Sequence, residues 1–375
     1  MDTFHERLYS EKSKELFAPM IPTVLEVADL LVKEAYKKFS KSQYDDAEIR
    51  SLSMSWLPSF EFQACATINK QDLRKHSIEI AYGAPIDIYK DSFLYKTMCT
   101  TYFTRKEYNE VFEALDYGEG RNNVLPADLQ NDIDAKILFN DLSITWLYLH
   151  EQAHLFQAHG IIYTQYAENL PADFSLNWNE FEVNQILPDQ ESERNAWIRH
   201  ACELSADYEA TNLIVQHVMS LNKAKNWEIS LSSIWMLISA LTCIFHKFYG
   251  DTRTYHQGLA VGTHPDPAIR MKYIYLNVIA LLKNPYVTPY HQKGKTLNDY
   301  KKVMNHAYST ANLYIHIAHL NNKKSVPEFM ERFDDLSDEY HIYTEGINKI
   351  WSELRPSVME NYFGYGNASV MPSPL

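Results

Sequence analysis

Between residues 21 and 39, apolar side chains recur at intervals of three and four (IPTVLEVADLLVKEAYKKF), which predicts an amphipathic helix opened by Pro22. From about 56 to 104 the period shortens. FEFQACATIN (60–69) and SIEIAYG (77–83) alternate or run apolar with β-branched and aromatic residues, and APIDIY follows Gly83. Two or three strands of a small sheet are expected there. Tyr117 to Asn123 is turn-rich and reads as a loop. Helical spacing returns over 130–158, 192–221 and 228–249, then over 268–283, 296–321 and 327–353, with a loop from Gly250 to Pro267. The last twenty residues, with Pro356, Gly364, Gly366, Pro372 and Pro374, read as an irregular tail. The expected fold class is α+β, predominantly α-helical, with a small sheet packed on a two-helix core. Its expected parts are an N-terminal helical segment (1–55), a core (56–290), a helical C-terminal region (291–355) and the tail (356–375).

Composition narrows this further. Only 11 of 375 residues are Gly, which disfavours turn-dense all-β or linker-rich chains. The formal charge of −13 would repel phosphate backbones, so nucleic acid is not an expected partner. Cys65, Cys99, Cys202 and Cys243 form no CxxC pair and suit free thiols in a reducing compartment. The N-terminus lacks the basic and apolar regions of a secretory signal. Ile229 to Phe245 carries no charge, yet four Ser and a Thr dilute it, so it reads as a buried core helix. A cytoplasmic protein without a membrane partner is expected.

The sharpest chemical signal is His150–Glu151–Gln152–Ala153–His154, an HExxH sequence inside a helical pattern. Residues four apart on a helix differ by about 40° in azimuth, so both imidazoles can grip one cation. Glu151 then stands beside the metal as a general base toward an activated water. A chance HExxH arises in roughly one chain in 25 of this composition, so a third ligand is the test. Gln157 and Gly160 occupy the positions where a metzincin has its glycine and third histidine. His159 is turned away on an ideal helix and reads as a surface or helix-end residue.

A second helix, RHACELSADYEA, places Glu203 and Asp207 on one face. Glu203 can complete a His2Glu zinc site, leaving a position for water. Asp207 can accept the outer N–H of a ligand imidazole and fix its tautomer. Both also suit solvated positions on an amphipathic helix, and His200 competes with Glu203 as a ligand. Cys202 points to another face and reads as a small core residue.

HExxH, then ExxAD, then Thr263–His264–Pro265 followed by Arg270 resembles the gluzincin metallopeptidases. It is most similar to the superfamily of the HtpX heat-shock protease and the CAAX prenyl endopeptidases. The resemblance covers 140–271 and implies one zinc ion per chain on His150, His154 and Glu203, with Glu151 as general base. It maps the THP-x4-R element onto Thr263, His264, Pro265 and Arg270. The family's transmembrane helices have no counterpart here, and Lit-type phage-exclusion proteases offer a looser comparison. His264 either donates to the developing oxyanion or packs as a loop histidine beside Pro265, and Arg270 pairs with a carboxylate and anchors the loop. Tyr255 and His256 are further cleft candidates.

The expected activity is zinc-dependent hydrolysis of peptide bonds in an intracellular protein or peptide. The substrate would add as a strand to a sheet edge at 61–68 or 77–83. Narrow specificity, latency or a regulatory protein partner is expected to restrain it. The alternatives are a catalytically silent, zinc-stabilised interaction module and a helical binding protein whose HExxH is accidental.

Overall fold

At the centre of the computed structural model lies the helix that carries HExxH. The structure describes residues 18–46, 49–103, 124–129, 132–169, 177–179, 192–248, 255–256, 258–318, 326–364 and 371. The described residues form α1 (Ile21–Phe39), β1 (Ser51–Leu57), β2 (Ala64–Ile68), β3 (Lys75–Ala81), α2 (Gly83–Thr97), α3 (Asp132–Phe156), α4 (His159–Tyr166), β4 (Asn177–Asn179) and α5 (Glu193–Leu221). Then come α6 (Leu231–Phe248), β5 (Tyr255–His256), β6 (Leu259–Ala260), α7 (Pro267–Lys283), α8 (Leu297–Ala318), α9 (Val326–Phe333) and α10 (Asp338–Asn361). The chain is α+β and predominantly helical.

Helix α3 packs on α5, α6, α2 and α1, and its flank lies on β2. It is therefore enclosed, and buried residues such as Phe139, Leu142, Trp146, Leu149 and Ala153 line its different faces. Helix α6 packs against α3, α7 and α8. It is long and apolar enough to cross a membrane, but 78% of it is buried inside the protein. The four cysteines are buried and form no disulfide.

The main sheet has the order β1-β3-β2-β4. β1 runs parallel to β3, whereas β2 is antiparallel to both β3 and β4. Asn69 shapes the β2–β3 turn, its Oδ1 accepting from the backbone N–H of Gln71 at 2.8 Å and Asp72 at 3.1 Å. This topology corrects the expected substrate edges. Residues 77–81 lie in the central strand β3, and Cys65 to Thr67 pair on both sides, so among the described residues the edges are β1 and β4.

Other elements differ from expectation. APIDIY opens α2 instead of forming a strand, because Pro85 is tolerated in a first helical turn. A Cβ on Gly83 would overlap the carbonyls of Phe60 and Glu61, so that turn needs glycine. β1 begins inside the N-terminal segment expected to be helical, its Ser-Leu-Ser-Met-Ser alternation having period two. The expected helix over 327–353 is two helices, and α10 continues through Pro356 to Asn361, into the expected irregular tail. Part of the Gly250–Pro267 loop forms the β5–β6 ribbon. The expected loop from Tyr117 to Asn123 lies outside the described residues.

Candidate metal centre

Helix α3 presents His150 and His154 one turn apart, and their Nε2 atoms converge to 3.0 Å. Glu203 enters from α5, with Oε2 3.4 Å from Nε2 of His150 and Oε1 3.5 Å from Nε2 of His154. One donor atom from each residue lies within 4.8 Å of the others, and all three side chains are buried. Two imidazoles and a carboxylate suit a divalent first-row ion, so this group can hold a metal. Glu151 is buried on the same helix.

The orientation of His150 comes from α5 as well. Asp207, one turn beyond Glu203, places Oδ1 3.0 Å from Nδ1 of His150. When Nδ1–H donates there, the Nε2 lone pair faces Glu203. Asp207 also accepts from Nε and Nη2 of Arg270, each at 2.8 Å. Nη2 of Arg270 stands 3.2 Å from Oε2 of Glu203 and 3.4 Å from Nε2 of His150. Burial works against ionisation of Asp207, but the charge and hydrogen bonds of Arg270, with those of His150, hold its carboxyl below the ordinary value. The guanidinium lies 5.1 Å from the Phe245 ring, and Trp146 stacks on His150 at 5.3 Å. An aromatic wall thus holds both the His150 imidazole and the Arg270 guanidinium.

His154 is held differently. Ala158 takes a left-handed conformation, φ 52°, which ends α3 and turns the chain directly into α4. That break carries His159 back, so its Nδ1 sits 2.8 Å from Nδ1 of His154. The expectation of a surface or helix-end residue is corrected in one respect: His159 does start α4, yet it is wholly buried. A metal on Nε2 of His154 requires the proton on Nδ1, which then donates to Nδ1 of His159. The remaining N–H of His159, on Nε2, donates to Oε1 of Gln157 at 3.1 Å. That oxygen also accepts from Oγ of Ser205 at 2.5 Å. Nε2 of Gln157 donates to Oε2 of Glu209 at 2.8 Å, and the Tyr362 hydroxyl donates to Oε1 of Glu209 at 2.8 Å. Once His154 binds through Nε2, the tautomer of His159 and the orientation of the Gln157 amide are fixed.

Burial, then the like charge of His150, pushes His159 down to about 3, so it stays a neutral acceptor. Burial, then repulsion from His150, His159, Arg270 and His264, holds His154 far below the ordinary histidine value. Burial pushes Glu209 up to about 8, although Gln157 and Tyr362 both favour its ionised form.

The loop before α7 brings His264 to the same place. Its Nδ1 meets Oγ1 of Thr263 at 2.8 Å, and its Nε2 lies 3.6 Å from Oε1 of Glu203. Asp266 caps α7 by accepting from the Ala268 N–H at 2.9 Å, and Arg332 of α9 pairs with the same carboxylate. His200 does not join the group that could hold a metal. It bonds the Tyr343 hydroxyl through Nδ1 at 2.9 Å. Tyr255 lies in β5 with His256, and the described structure does not extend to their side chains.

His150, His154, Glu203, Asp207 and Arg270 are thus brought together, with His264 at their margin, and Glu151 follows His150 on α3, buried. Sequence spacing did not single out His159 as a contact, nor Gln157, Ser205, Glu209 or Tyr362. One signal was available: α5 carries polar residues around much of its circumference, and where the helix is buried those groups must satisfy one another internally.

Compared with known proteins, the chain matches no family model, no curated protein and no solved structure. What it does must therefore be argued from the chemistry of the centre.

Proposed function

We propose that this chain is a zinc-dependent endopeptidase acting on an intracellular protein or peptide. The observation that carries the reading is the convergence of His150, His154 and Glu203, with Glu151 on the same helix. Zinc suits a His2Glu donor set that keeps a further position open. When bound, it supplies Lewis acidity toward a water and toward a carbonyl oxygen. Glu151 takes the proton of the attacking water and returns it to the leaving amide nitrogen. His264, its Nε2 directed at the centre, donates to the oxyanion. Asp207, itself held by Arg270, orients His150, and His159 orients His154, each in the tautomer that carries its proton on Nδ1.

One observation favours a second reading, a catalytically silent metal-stabilised interaction module. No member of the centre is more than 6% exposed, so a peptide needs an opening motion to enter. For a peptidase the same burial would serve as latency.

The test starts with metal per chain in the purified protein beside His150→Ala and Glu203→Ala. About one zinc in the wild type, lost in both variants, supports the site. A zinc-loaded wild type is then offered a peptide library beside Glu151→Gln. Cleavage by the wild type alone supports the peptidase. A zinc-loaded wild type that cleaves nothing favours the silent module, and a chain that never takes up zinc removes both readings.

A further inference from the structure

Away from the metal centre, three helices meet at a second polar cluster. Lys38, near the end of α1, is exposed, and its Nζ lies 3.1 Å from Nδ1 of His217 on α5. Nε2 of His217 lies 2.9 Å from Oδ2 of Asp141 on α3. Oγ1 of Thr145 donates to Oδ1 of Asp141 at 3.2 Å, which fixes the carboxylate. His217 and Asp141 are buried, 9% and 8% exposed, and the Phe39 ring lies edge-on to the imidazole at 6.2 Å. Ser220 accepts from Nζ on the other side and donates to the His217 carbonyl at 2.7 Å.

These contacts have one direction. Asp141 accepts the Nε2 proton of His217, so the Nδ1 lone pair faces the lysine. This is the order of a nucleophile, a base and a group that orients the base. We propose that Lys38 is a site of Nε-acylation by an activated acyl donor, an acyl phosphate or acyl thioester, with His217 as its base and Asp141 orienting that base. Nζ gives one proton to Nδ1 of His217, and its lone pair attacks the acyl carbon. The C–N bond forms, the C–O bond to phosphate or the C–S bond to the thiol breaks, and the leaving group departs with that bonding pair. The second Nζ proton is lost as the tetrahedral adduct collapses to the amide, and His217 returns its proton to solvent. Burial brings the Lys38 amine down to about 8, against the pull of Asp141, which raises the fraction able to react. Asp141 and His217 sit on the helices that carry His150 and Glu203, but the proposal does not depend on the metal reading.

The test incubates the full chain separately with acetyl phosphate and with acetyl-coenzyme A, and follows each lysine by quantitative peptide mass spectrometry. Lys38 is expected to react about tenfold faster than the median lysine, and to lose that excess in folded Asp141→Asn and His217→Gln chains. Excess with either reagent supports the site and names its donor. The same excess in a urea-unfolded chain overturns the proposal, since local sequence would then account for it. A Lys38 rate within twofold of the median overturns it too, whether or not either variant folds.

Discussion

Nδ1 of His154 and Nδ1 of His159 lie 2.8 Å apart, two histidines separated by a helix break instead of a helix turn. Because the second imidazole faces the first from behind, it decides which nitrogen of His154 is available to a metal. The arrangement makes His159 a positioning residue for His154.

Replacing His159 with Phe keeps a ring in the buried site but removes the acceptor for the His154 N–H. Metal affinity is expected to fall about 10- to 100-fold. A chelator competition titration, beside a circular dichroism spectrum showing a retained fold, measures it. Unchanged affinity would show that His154 needs no partner at Nδ1.

Asp207→Asn is expected to act on stability and metal together. Asp207 accepts both Arg270 bonds and faces His150, so the variant leaves a buried guanidinium short of its carboxylate. A loss of about 3–5 kcal/mol is the usual range for breaking a buried pair from one side. Urea unfolding of the metal-free chain reads that loss, and metal content reads the other effect. A near-neutral result in both would place the Arg270 charge elsewhere.

Glu209 gives a pH signature with a definite sign. Its folded value of about 8 lies above the ordinary 4.5, so between those values the folded state holds a proton that the unfolded chain has released. Stability from this group therefore falls as pH rises from about 4.5 to about 8. In metal-free protein, Glu209→Gln should lose that slope, so the stability difference between wild type and variant changes steadily across the window. A difference that stays constant with pH would mean Glu209 is ionised in the folded chain.

Helix α10 docks on α5 through a glycine. A Cβ on Gly346 would overlap the Trp197 indole, whose ring stacks on Tyr343 at 5.4 Å. Gly346→Ala is expected to cost about 1–3 kcal/mol by overpacking, less any gain in helix propensity. Thermal unfolding measures it, and an unchanged midpoint would mean that the indole swings aside without cost.

Much of this molecule was legible in its sequence, for physical reasons. The period of 3.6 marked α1, α3, α5, α6, α7 and α8 within a few residues of their observed bounds, because amphipathic spacing is a local property. The same local rule put His150 with His154, and Glu203 with Asp207, on common helix faces. The sequence pointed to Asp207 as acceptor for one of the imidazoles and to Arg270 as partner of a carboxylate, but spacing did not reveal that the imidazole is that of His150, met at Nδ1, or that the carboxylate is that of Asp207, beside Glu203. Those relations depend on how α3, α5 and α7 cross. Tertiary packing alone also chose the sheet order, putting β3 rather than β1 in the centre, and let APIDIY become helix where its composition suited a strand. It decided too that a left-handed residue at Ala158 would turn His159 inward, since an ideal helix continued past Phe156 would have pointed that side chain away. Residue types and their spacing determine which groups can act together, whereas the direction each imidazole nitrogen faces depends on the partners that other helices bring to it.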